Sequence, residues 1–139
     1  DGDGFTTMHN YISQDGMIRK GAISAQTGET VLIPFNMRDG AVIARGRGNE
    51  DWNCSAPHGT GRAMSRTKAF QTLDTQAFIR EMHEAGIYCP SACETTLDES
   101  PEAYKDAGEV LRLMEPTVEL VHRLKPIWNF KATGKCGRR

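Results

Sequence analysis

The segment Asp51 to Arg66, DWNCSAPHGTGRAMSR, holds the residues best suited to chemistry. His58 is followed at once by Gly59, Thr60 and Gly61, then by Arg62. Glycines let backbone N–H groups come close to a ligand, and a helix N-terminus carries partial positive charge, so phosphate is a natural guest of such a loop. An imidazole at its lip reaches a bound phosphorus and could serve as nucleophile, general acid/base or metal ligand. A second histidine, His9, stands beside Asn10 and Tyr11. From its neighbours alone it reads either as a hydrogen-bonded core histidine or as a metal ligand.

The elements that must position these residues follow from periodicity and turn composition. Thr30 to Pro34 (TVLIP) and Ala41 to Ala44 (AVIA) are β-branched runs joined by Asn36-Met37-Arg38-Asp39-Gly40, which predicts strands linked by a tight loop. Gly46-Arg47-Gly48-Asn49 then leads to the histidine loop. A helix is predicted from Arg62 to Gln71, opened by the glycine loop. A second starts at Thr72 or Asp74, carries Ala77, Phe78, Met82 and Ala85 at helical spacing, and stops at Gly86. His83 lies on that helix without a ligand partner and reads as a surface residue. Ser100-Pro101-Glu102 opens a third helix, with Tyr104 in its first turns and Pro116 as its end. Val118, Leu120, His122 and Leu124 alternate, as do Ile127, Asn129 and Lys131, predicting closing strands separated at Pro126, with His122 structural. The expected class is α+β: short strands and hairpins leading to a His-Gly loop, two or three helices, then closing strands.

Composition narrows the setting. A chain of 139 residues, 38% hydrophobic and 25% charged, is expected to form a single domain spanning 1–139. No apolar run approaches the ~20 residues that span a bilayer, so no membrane partner is expected. The start, DGDGFTTMHNYI, has no initiator Met and reads as the middle of a longer protein. A net charge of -1 hides an uneven spread. The stretches 38–68 and 121–139 are basic, and 72–120 is strongly acidic, so the histidine loop and the C-terminus are the cationic segments suited to a polyanion or nucleotide. Cys54, Cys89, Cys93 and Cys136 lack zinc-pair spacing and disulfide-scaffold density, which predicts reduced thiols and a cytoplasmic location. Only Cys54, four residues before His58, lies near the expected chemistry.

The motifs HNYI (His9 to Ile12), MIRKGA (Met17 to Ala22), APHGTGRAMSR (Ala56 to Arg66), PEAYKD (Pro101 to Asp106) and LKPIWNFKA (Leu124 to Ala132) occur in this order. Together they resemble the C-terminal third of the RtcB-type RNA-splicing ligases. The resemblance implies a GTP- and manganese-dependent ligase that joins RNA ends bearing a 2′,3′-cyclic phosphate or 3′-phosphate to 5′-hydroxyl ends, in tRNA splicing or RNA repair. By motif position His58 would attack the α-phosphate of GTP to give a histidine-GMP intermediate. Gly59, Thr60, Gly61 and Arg62 would hold phosphate, Tyr104 would line the nucleotide pocket and Lys131 would contact guanine. His9 would be a metal ligand. The family's other metal ligands, Asp, Cys and His, lie in an N-terminal part absent from this sequence, so that part is an expected partner and the isolated chain is expected to be inactive.

The chain also departs from the family pattern. Where many members carry a serine-rich loop near the nucleotide, this sequence has Pro34 to Ala41. Asn36 retains hydrogen-bonding groups there, but Ala41 offers no hydroxyl. The chain also continues past Lys131 as ATGKCGRR. These departures leave room for a non-catalytic relative that binds nucleotide or RNA, and His58 as a general acid would equally serve a metal-dependent phosphohydrolase.

Overall fold

The computed structural model describes residues 4–14 and 16–132. Cys136 and the continuation beyond Ala132 lie outside them. The chain is α+β with small antiparallel sheets, as expected, and it divides into two compact units. No described helix is long and apolar enough to cross a membrane.

The first unit comprises residues 1–34, 41–60 and 106–124. Strand β1 (Tyr11–Ile12) pairs antiparallel with β2 (Ile18–Arg19), and β3 (Ala22–Ser24) will pair with a strand just before His58. The β-branched runs form β4 (Thr30–Pro34) and β5 (Ala41–Gly46), adjacent antiparallel strands. Their alternation is real: Val31, Ile33, Val42 and Ala44 are buried. A single turn at Glu50–Trp52 leads to β6 (Ser55–Pro57), the partner of β3.

At Gly46 the sheet passes so close to the preceding turn that a Cβ would stand 2.2 Å from the Gln26 carbonyl oxygen. That turn is itself closed by Glu29, whose carboxylate accepts from Ser24 Oγ (2.6 Å) and the Gln26 amide (2.8 Å).

The second unit comprises residues 35–40, 61–105 and 125–139. Helix α1 (Arg66–Thr72) is capped by Ser65, whose side chain accepts from the Lys68 amide. Arg62 therefore precedes the helix, and the glycines do not open it. Helix α2 (Thr75–Glu84) runs as expected, from an Asp74 cap accepting from the Ala77 amide at 2.7 Å to Gly86 at φ +70°. Phe78 and Met82 on its inner face pack with Met37, Ile87 and Leu97 into one core cluster. Cys93 is disulfide-bonded, contrary to the reduced thiol expected from cysteine spacing, whereas Cys54 and Cys89 are free.

The third predicted helix is interrupted. Short 3-10 turns at Glu94–Glu99 and Pro101–Ala103 end at Tyr104, which is extended (φ −108°, ψ 160°). In the first unit, α3 (Ala107–Met114) then starts from an Asp106 cap. Strand β7 (Val118–Leu124) completes the order β4-β5-β7. Its alternation misleads, since only Val118 is buried and His122, opposite Ile43, is exposed rather than structural. Ile127 to Lys131 forms no strand; one parallel bridge, Tyr88 with Trp128, holds it in the second unit.

Candidate functional site

In the first unit, β6 delivers His58 to the rim of the sheet. Ala56 is buried opposite Ile23, and beyond Pro57 the His58 amide reaches the Gly21 carbonyl at 3.4 Å. Gly21 takes a left-handed φ of +71°, and a Cβ there would lie 3.8 Å from the imidazole, so its bare backbone flanks the ring. The Gly21 amide donates to the Asn10 side chain at 2.9 Å. Asn10, itself at φ +57°, thereby docks its neighbour His9 beside His58. The two imidazoles stack with centroids 5.1 Å apart and planes 22° off parallel.

Both rings line a cavity of about 450 Å3 with Phe5, Thr7, Leu32 and Pro34. Burial, then the charge of His9, push the His58 imidazole below the ordinary histidine value. Near pH 7 it is therefore neutral, with a lone pair available for attack. Gly59 must be glycine, because a Cβ would stand 2.9 Å from the Pro34 carbonyl oxygen. The chain passes from one unit to the other after Thr60, a buried residue. No helix dipole backs this loop, since Arg62 to Ser65 are not helical.

In the second unit, Gly61 turns at φ +70°, and the next residues run extended. Arg62 bridges Tyr104, with Ala63 N–H donating to Ala103 (2.9 Å) and Lys105 N–H to Gly61 (3.2 Å). This pairing lays the Arg62 guanidinium 4.9 Å over the Tyr104 ring centroid. Three residues expected to bind nucleotide meet on one carboxylate. Arg62 Nη2 is 2.5 Å from Glu99 Oε1, while the Tyr104 hydroxyl and Lys131 Nζ each lie 2.9 Å from Oε2. Beside it, the buried Asp98 pairs with Arg66 at 2.5 Å. The Lys131 backbone is fixed as well, its amide donating to Ser91 Oγ at 3.0 Å.

Burial works to raise the Glu99 carboxyl, but hydrogen bonds from Lys131 and Tyr104 and the Arg62 charge bring it below the usual carboxylate value. Burial, then the hydrogen bond to Glu99, pushes the Tyr104 phenol up. Because the folded value of Glu99 is depressed, its contribution to stability is complete above about pH 4.5 and is lost as pH falls through the folded value. Glu99→Gln should therefore cost about 1–2 kcal/mol near neutrality. The gap to wild type should close in acid. Urea unfolding of both proteins across pH checks this, and a gap constant down to strongly acidic pH would contradict it.

Asn36 builds the β4–β5 loop. Its Oδ1 accepts from the Arg38 and Asp39 amides at 2.9 and 2.8 Å, and its Nδ2 donates to Asp39 at 2.8 Å. Its second amide hydrogen has no partner among the described residues. Sequence reasoning missed Glu99, Gly21 and the role of Asn10. The acidic pair Asp98-Glu99 just before the PEAYKD motif was the available signal for the first. Nothing local marked the other two.

A manganese ion fits this chain only in part. His9 and His58 place imidazole nitrogens, a donor type suited to such an ion, on one cavity. Among the described residues, however, no group of three or more His, Cys, Asp or Glu gathers to hold a metal.

The sequence model of the family described as tRNA-splicing ligase RtcB matches residues 5–132. The RNA-splicing ligase RtcB of Escherichia coli K12 is 37% identical over 126 residues, which cover 86% of this chain and 30% of that protein. The tRNA-splicing ligases RtcB of Aeropyrum pernix and Nanoarchaeum equitans are 38% and 35% identical over 105 residues, covering 72% of this chain and 22% of each of those proteins. The chain thus spans less than a third of the length of these relatives.

Proposed function

Because the chain belongs to the tRNA-splicing ligase RtcB family, we propose that it is the C-terminal part of a GTP- and manganese-dependent RNA ligase, acting as a single domain of that enzyme. The ligase joins RNA 3′-phosphate or 2′,3′-cyclic phosphate ends to 5′-hydroxyl ends, in tRNA splicing or RNA repair in the cytoplasm. The observation that carries this reading is His58: an imidazole kept neutral by its surroundings, on a cavity, one residue before glycine backbone.

The neutral nitrogen of His58 attacks the α-phosphorus of GTP. A P–N bond forms, pyrophosphate leaves, and the imidazole proton is lost to solvent. An oxygen of the RNA 3′-phosphate, released from a cyclic end by water that cleaves the P–O2′ bond, then attacks the same phosphorus, breaking the P–N bond and returning His58. The 5′-hydroxyl of the second RNA end attacks the activated 3′-phosphate and expels GMP. Amides of Gly59, Thr60 and Gly61 and the Arg62 guanidinium offset charge on phosphate oxygens. Tyr104, Lys131 and the open amide hydrogen of Asn36 bind the nucleoside end. His9 would offer one nitrogen to manganese, which would supply Lewis-acid stabilisation of phosphate.

The test supplies GTP labelled at the α-phosphate, with manganese, to the intact protein that contains this chain. Acid-labile label on the protein is expected. The isolated 139-residue chain should take up none, since a protein-held transition metal usually needs three or more side-chain ligands. Tight manganese binding and label uptake by the isolated chain would show its site to be self-contained. Free nucleotide released without any adduct would replace the ligase with a phosphohydrolase.

A further inference from the structure

The segment Ile127 to Lys131 is short, has no strand of its own, and is nevertheless fixed at every second residue. The Tyr88 amide donates to the Ile127 carbonyl (3.0 Å), the Asn129 amide to the Tyr88 carbonyl (2.9 Å), and the Lys131 amide to Ser91 Oγ (3.0 Å). The Asn129 side chain adds a bond to the Met37 carbonyl at 2.8 Å. With 129 and 131 turned inward, Trp128 and Phe130 must point outward. They are 56% and 66% exposed, and their rings lie 6.1 Å apart, within 10° of parallel. Bridge partners share a face, so Tyr88, paired with Trp128 and 66% exposed, stands on the same side.

Three aromatic rings held out into solvent on an anchored backbone need a flat, apolar guest. The surrounding sequence selects its charge. Within the second unit Lys125 and Lys131 bracket the aromatic pair, Lys131 also meeting Glu99 at 2.9 Å. Aromatic faces set among cations are the chemistry of single-stranded nucleic acid, in which each base offers a π-face and each linkage a negative charge.

We propose that Trp128 and Phe130, with Tyr88, form a stacking platform for unpaired bases of single-stranded RNA. The platform rests on the ligase reading for its purpose and deepens it by giving the RNA strand a seat in the second unit. It reads no sequence, because stacking accepts every base.

Two strands test it by fluorescence anisotropy with the intact protein: a short oligoadenylate ending in a 3′-phosphate, and the same strand with abasic sugars in place of its terminal bases. Both carry equal charge. The base-bearing strand should bind about tenfold more tightly and quench tryptophan emission. Trp128→Ala and Phe130→Ala should each lose about tenfold toward that strand and little toward the abasic one, while Trp128→Phe and Phe130→Tyr keep the preference. Equal affinity of wild type for the two strands would overturn the platform, and that comparison needs no variant to fold. So would displacement of the strand by GTP, which would give the rings to the nucleotide. A lowered melting temperature of Trp128→Ala with unchanged RNA binding would mean that protein covers this face, also overturning the proposal. Label uptake from GTP is read separately. A protein that labels but does not distinguish the strands refutes the platform alone, and one that distinguishes them but does not label refutes the ligase reading alone.

Discussion

His58→Ala in the intact protein is expected to abolish covalent labelling by GTP and to leave the fold nearly unchanged. Alanine offers no nucleophile, so the loss is total rather than graded. The structural cost is small for a definite reason. His58 is half-buried at the end of β6, and its amide bond to Gly21 is made by the backbone, which alanine retains. A change within about 1 kcal/mol follows. Thermal melting of both proteins, beside a gel assay of bound label, checks the two halves together. Acid-labile label persisting in the variant would assign the nucleophile elsewhere. In wild type, labelling should hold its rate at pH values where an ordinary histidine is already protonated, because burial depresses the His58 value.

Gly46→Ala should be the most damaging conservative substitution in the first unit. Its Cβ would stand 2.2 Å from the Gln26 carbonyl oxygen and 2.5 Å from that of Ala25, both backbone atoms with no rotamer by which to yield. The approach is locked from both sides: the Gly28 amide donates to the Gly46 carbonyl at 2.9 Å and the Gly46 amide to the Glu29 carbonyl at 2.8 Å. Relief requires breaking these bonds or shifting β5, for a loss of about 3–5 kcal/mol, a large part of a typical domain's stability. Denaturant unfolding measures it. Gly28→Asn is the control, since nothing lies within 4 Å of a Cβ there and asparagine tolerates its φ of +78°. A loss below 1 kcal/mol for Gly46→Ala would show that the sheet accommodates the methyl group.

The readable parts of this chain were those whose signal is local. The β-branched runs of β4 and β5 and the Asp74-to-Gly86 span of α2 carry their own periodicity and caps, and each formed as expected. The stretch from His58 to Gly61 was legible as a loop because its glycines break any periodic pattern. What escaped was set by partners distant in sequence. Arg62 and Tyr104 read as helical from their neighbours, yet they pair with each other across 42 residues, and that bridge overrides helix propensity at both. Glu99 has no motif; its importance lies in receiving Arg62, Tyr104 and Lys131 from separate stretches. The alternation in β7 looked like a buried face because a period of two marks a strand without saying which side, if either, is covered.

The strand order β4-β5-β7 also governs the sequence of events during synthesis. Arg47 at the end of β5 meets the Val118 carbonyl 71 residues later, and most of the second unit is encoded within that interval. On the ribosome β4 and β5 can close as a hairpin early, but one flank of β5 stays an unpaired edge until the chain has been made through Leu124. Meanwhile the helices and turns between Gly61 and Lys105, which include both partners of the Arg62–Tyr104 bridge, have time to fold. A nascent chain that stalls before Val118 therefore carries a β-branched strand with a bare hydrogen-bonding edge, the species most apt to pair with a neighbouring copy, and synthesis past that point itself removes the hazard.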